Sequence, residues 1–166
     1  MPEIIKLKNG DYHILVLATI YTEEDAIAVG KLKEELSKVG TEIVLFPADN
    51  EYTEGVNMAV NDYKVPCANW QGFLTRLRFR HKFQSNHLSV DDMHMHTNFV
   101  GGFAGACLLY ARLFGETPNA DGLRLTLLNN YSEFLPGDTD EEKEKAINTI
   151  IDEALDYIKA FDENYK

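Results

Sequence analysis

The sequence predicts a shortened α/β domain, a mostly parallel sheet flanked by helices in three layers. Three observations carry that expectation. Residues 12–20 (YHILVLATI) are an unbroken apolar and β-branched run with no formal charge, which suits a central strand buried on both faces. Residues 42–46 (EIVLF), ended by Pro47, form a second run of the same kind. Between them lies an amphipathic segment with clear start and stop signals. Strand, helix and strand together make one βαβ unit, which implies parallel strands and a right-handed crossover.

Each element has its own warrant. Ile4, Ile5 and Leu7 precede the turn dipeptide Asn9-Gly10, so the first segment is either a hairpin partner or a lead-in loop. Thr22 is an N-cap, and Glu23, Glu24 and Asp25 follow in the first turn, where the helix dipole favours acids. Ala26, Val29, Leu32, Leu36 and Val39 recur at helical spacing, and Gly40 stands where a helix-terminating glycine belongs. Residues 54–63 fit a helix and residues 64–67 (KVPC) a short strand or its exit. Residues 70–83 fit a helix with a basic side, although the alternation Arg76-Leu77-Arg78-Phe79-Arg80 fits a strand as well. A helix starts near Thr97 or Asn98, carries Phe99, Phe103, Cys107, Tyr110 and Phe114 on one stripe, and closes at Gly115. Residues 123–128 (LRLTLL) suit a strand or a short helix. Thr139 and Glu142 form a capping box ahead of an amphipathic C-terminal helix.

Composition narrows the class. A chain of 166 residues is most simply a single domain, 1–166, with a real core. No apolar run approaches the roughly 20 residues of a membrane span. The first residues lack a signal-peptide core, so a cytoplasmic protein is expected, without a membrane partner. Cys67 and Cys107 form no CxxC pair and are expected to be reduced core residues. A net charge of −11 argues against nucleic acid as a partner. It leaves a small-molecule ligand or a second copy in a homo-oligomer. The exception to the acidic trend is Arg76, Arg78, Arg80, His81 and Lys82, either a solvated face or a patch for an anionic ligand or acidic partner.

The chemistry concentrates just ahead of the apolar helix. His81, His87, His94 and His96 fall close together, with Asp91 and Asp92 among them. In one reading, Asp91 and His94 are a catalytic pair. The carboxylate three residues ahead fixes the tautomer of the imidazole and stabilises its protonated form. A loop feeding a helix would place both at the C-terminal edge of the sheet, where α/β proteins bind ligands. In the other, His94 and His96 share a zinc or similar divalent ion completed by Asp92, Asp91, His81 or His87, since alternate residues of an extended segment point the same way. A polar surface loop is the third possibility.

Asp91-x-x-His94, followed by a Gly-rich helix ending in Leu113-Phe114-Gly115-Glu116-Thr117-Pro118, resembles the C-terminal catalytic block of SGNH/GDSL-type hydrolases. The strand–helix–strand front is similar to that family's first α/β unit. The resemblance implies a shortened flavodoxin-like or SGNH-like fold that acts on, or binds, an ester or acylated small molecule. It also implies a serine nucleophile in a Gly-Asp-Ser motif after the first strand, where this chain has Ala18-Thr19-Ile20-Tyr21-Thr22. Thr19 and Thr22 are the nearest hydroxyls there. Gly10-Asp11-Tyr12 and Gly137-Asp138-Thr139 are misplaced. With no serine to activate, the expectation is a catalytically impaired domain. The alternatives are a metal-binding protein or metallohydrolase built on His94, His96 and Asp92, and a non-catalytic interaction module.

Overall fold

The computed structural model describes residues 13–18, 20–47, 53–90 and 96–164. Of these residues 66% are helical and 8% extended, so helix replaces the expected three-layer sheet. The α/β architecture, flavodoxin-like or SGNH-like, is corrected accordingly. The chain divides into two compact units, Met1–Asn69 and Trp70–Asn164.

The first unit contains the βαβ motif. Strand β1 (Ile14–Leu17) pairs in parallel with β2 (Glu42–Leu45), with Ile14 opposite Glu42 and Leu17 opposite Leu45. Helix α1 (Glu23–Ser37) connects them. Its cap is reciprocal: the Asp25 N–H donates to Thr22 Oγ1 at 3.1 Å, and Asp25 Oδ2 accepts from the Thr22 N–H at 3.0 Å. The backbone hydrogen bonds from Thr22 and then Tyr21 hold the Asp25 carboxyl below its usual range. At the far end Gly40 takes φ 76°, and the Thr41 N–H returns to the Leu36 carbonyl at 3.1 Å.

The sheet stops growing at residue 67. Cys67 meets Leu45 in one parallel bridge on the side of β2 away from β1. Pro66 has no N–H to extend the ladder. Helix α2 (Glu54–Asn61) then packs its first turn on the β1–α1 connection. The Gly55 N–H donates to the Tyr21 carbonyl at 3.1 Å, and a Cβ at Gly55 would stand 2.7 Å from the Thr22 oxygen. Thr53 Oγ1 donates to the Ile20 carbonyl. The start of α2 thus packs directly on residues 20–22, just beyond the end of β1.

The second unit is helical throughout its core. Helix α3 (Trp70–His81) buries Phe73, Leu74 and Leu77, a helical spacing that leaves Phe79 outside. Strand alternation would have put Leu77 and Phe79 on one face. Residues 123–128 likewise lie within a helix, α6 (Asp121–Asn130), so no strand follows the first unit among the described residues. Helix α5 (Phe99–Phe114) packs on α7 (Asp140–Asn164), with Phe103, Cys107 and Leu108 meeting a core that includes Ile147, Ile150, Ala154 and Ile158. The expected α5 stripe splits: Phe103 and Cys107 are buried, whereas Phe99, Tyr110 and Phe114 are exposed. Glu142 Oε2 accepts from the Asp138 and Thr139 N–H groups at 2.8 and 3.1 Å, completing the α7 capping box. None of the described helices is long and apolar enough to cross a membrane.

A short helix, α4 (Ser85–Leu88), carries a pH-dependent contact. The Gln84 N–H donates to His87 Nδ1 at 2.9 Å, which requires that nitrogen unprotonated. Burial holds His87 below the ordinary imidazole value of 6.5. Its stabilising contribution is complete above pH 6.5 and is lost as pH falls through the lower folded value. Urea unfolding should therefore show lower stability at about pH 5 than at about pH 7. His87→Gln, which keeps an acceptor that does not titrate, should flatten that difference. An equal difference in the variant would refute the assignment to His87.

Candidate functional site

The residues around the acidic and histidine-rich segment are built as a base for it. Ser89 and Thr97 form an antiparallel bridge. The Val90 N–H donates to the His96 carbonyl at 2.9 Å, and the Asn98 N–H to the Leu88 carbonyl at 3.2 Å. Residues 91–95 thus connect two chain positions held side by side at the start of α5. Asn98 makes this junction firm. Its Oδ1 accepts from the Gly101 N–H at 2.9 Å, and its Nδ2 donates to the Asn86 carbonyl at 3.1 Å.

The predicted catalytic residues Asp91 and His94, and the predicted ligand Asp92, lie outside the described residues, as do Thr19 and the Asn9-Gly10 turn. His96 is described and exposed. The helix that follows the segment belongs to the second unit and the sheet to the first. Thr22, weighed as a substitute nucleophile, has its oxygen engaged by the Asp25 N–H. Ser89, which sequence reasoning passed over, is 4% exposed and accepts from Arg78 Nη2 at 3.2 Å. It is a structural tie between α3 and the base of the segment.

The other histidines serve separate partners. His87 caps α4 and meets the Phe83 ring edge-on, with centroids 6.3 Å apart. His81 Nε2 lies 3.0 Å from Glu153 Oε1. Among the described residues no three His, Cys, Asp or Glu side chains are grouped as a metal ion would require.

The basic run of α3 is mostly committed. Arg76 Nε lies 2.5 Å from Glu153 Oε2, with the two side chains 14% and 18% exposed, and its guanidinium stands 5.9 Å from the centre of the Tyr157 ring. Burial pushes the Glu153 carboxyl up. The hydrogen bond and charge of Arg76, joined by His81, outweigh it and hold the carboxyl below its usual range. Arg78 is half-buried, and burial lowers its guanidinium from the ordinary value. Phe79 is 85% exposed and Arg80 follows it into solvent. Glu153 was not singled out in the sequence because it lies 77 residues from Arg76, on a helix whose pattern reads only as packing.

Comparison with protein-family models, curated proteins and solved structures finds no match to this chain.

Proposed function

We propose that the chain is a non-catalytic interaction module that associates with a second copy of itself through Phe79 and Arg80 on α3. The supporting observation is Phe79, 85% exposed on a helix that buries Phe73, Leu74 and Leu77. Aromatic residues and arginine are among the residue types enriched in protein interfaces. Charge supplies the partner. Asp140, Glu141 and Glu144 are exposed at the start of α7. A second copy thus offers an acidic surface to the exposed cation. A two-fold dimer in which each copy's Phe79 and Arg80 meet the other's α7 start closes the contact at two copies. Cys67 and Cys107 are buried and not disulfide-bonded, the Cys107 thiol being pushed up to about 12 by burial, which suits a reducing compartment such as the cytoplasm.

Sedimentation velocity over a concentration series is the test. At low salt the chain should self-associate. Arg80→Glu, Phe79→Ala and salt of about 0.5 M should each weaken association about tenfold. A chain that stays monomeric under all these conditions, or associates equally well with both substitutions, would overturn the proposal.

A further inference from the structure

The outward face of α5 is apolar along its length. Phe99, Tyr110 and Phe114 are 41%, 36% and 58% exposed, Ala106 between them is exposed, and Gly102 is half-buried. These positions follow one another at intervals of three and four residues, so they share one side of the helix. The helix has a single charged side chain, Arg112, and it is turned to α7, where its two terminal nitrogens donate to Asp162 at 2.9 and 2.7 Å. A surface helix ordinarily presents charge to water on its outer side. In a chain that is 26% charged residues, an outer face with none is built to be covered. We infer that α5 packs on α5 of a second copy, antiparallel, about a two-fold axis at Ala106.

The shape of the face selects the occupant, because it carries both halves of one contact. A Cβ on Gly102 would meet nothing within 4 Å, so the face is low there. At the other end Tyr110 and Phe114 stand out and support each other, with ring centroids 4.6 Å apart. Gly102 and Tyr110 lie equally far in sequence on either side of Ala106. An antiparallel two-fold pairing therefore sets each copy's Tyr110 over the other's Gly102, and Phe99 against Leu113. Parallel pairing would set Tyr110 on Tyr110 and leave a gap at Gly102. The antiparallel sense also opposes the two helix dipoles favourably. Phe99 is held in place beforehand by a coplanar stack on Tyr131, with centroids 4.0 Å apart.

Charge and area fit the same occupant. The chain carries −11, yet this face brings no like charges together when two copies meet. A helix that lies on a lipid surface carries lysine and arginine beside its apolar face, and α5 has only the engaged Arg112. At 150–250 Å² for a whole aromatic side chain, the exposed parts of the three rings come to roughly 250 Å² per copy. Leu109 and Leu113, both half-buried, border them. That area is at the low end for a specific interface, which makes the pairing a weak, reversible dimer. It is separate from the Phe79–Arg80 contact, and a chain making both contacts assembles beyond two copies.

The test starts from the full chain carrying Phe79→Ala and Arg80→Glu, which lacks the α3 contact, so the two surfaces succeed or fail separately. Sedimentation velocity should show this parent dimerising in the micromolar range, about equally at low and high salt. Ala106→Glu and Ala106→Lys should each weaken the dimer about tenfold or more, because the two copies of residue 106 meet at the axis. Mixing the glutamate and lysine variants should restore association as a heterodimer. Tyr110→Ala should weaken the dimer about fivefold. Position 106 is exposed, so urea unfolding of the dilute chains, read by Trp70 fluorescence, should match the parent's. A parent still monomeric at about 1 mM, Ala106 variants that associate like the parent, no gain on mixing them, or a parent that binds phosphatidylcholine vesicles instead of dimerising would overturn the inference.

Discussion

Gly101→Ala should destabilise the second unit by about 3 kcal/mol or more, while Gly102→Ala should leave it unchanged or stabilise it by up to about 1 kcal/mol. The two glycines are neighbours on the first turn of α5, so propensity alone predicts the same gain at both. Their surroundings separate them. A Cβ on Gly101 would overlap the Leu88 carbonyl oxygen and stand 2.9 Å from Thr97 Cβ. That oxygen belongs to the backbone and already accepts from the Asn98 N–H, so it cannot yield without breaking the base of residues 91–95. A Cβ on Gly102 meets nothing within 4 Å. Trp70 is the sole tryptophan, and its Nε1 donates to the Gly101 carbonyl at 3.1 Å. Its fluorescence in urea therefore reports this junction directly. Equal midpoints for the two variants would show that α5 does not approach α4 this closely.

This contrast also marks what the sequence made legible. The small residues of α5 suggest close approach, but only the path of Leu88 shows which glycine needs it. Local chemistry was readable where the cause is local. Thr22, Gly40, Asn98, Gly115 and the Thr139–Glu142 box all cap helices as their types require. The βαβ connection was readable because both strands are apolar runs bounded by turn residues, but β1 is not the central strand buried on both faces that residues 12–20 suggested: it is an edge strand with Ile14 and Val16 exposed. The extended sheet was not legible. It was extrapolated from one βαβ unit, and the stretches that could have continued it, residues 76–80 and 123–128, are helical, since leucine and arginine are strong helix formers and alternation there spans too few residues to outweigh them. The candidate chemistry was read from sequence proximity. Of that histidine group, His81 and His87 turn to Glu153 and to Gln84, and His96 is exposed. A partner on a distant helix leaves no local signal.

Arg76→Met should cost about 3 kcal/mol, read by Trp70 fluorescence in urea near neutral pH. The pair is less than one-fifth exposed, so solvent screens it only partly. Removing the guanidinium leaves Glu153 with His81 alone, and burial then acts on the carboxylate with little to oppose it. The double variant Arg76→Met, Glu153→Met should recover most of the loss, because apolar groups of similar volume replace a buried pair at little net cost. The pH dependence gives an independent check. In the native chain the Glu153 carboxyl lies below its ordinary 4.5, so its contribution is present above that value and is lost as pH falls through the folded one. Without Arg76, burial raises the carboxyl instead, and protonation favours the folded state. The stability gap between native chain and Arg76→Met should therefore narrow as pH drops below about 5. A gap under about 0.5 kcal/mol at neutral pH would place this pair among ordinary surface contacts. A gap that stays constant into acid would assign the loss to the packing of Arg76 on Tyr157 rather than to its charge.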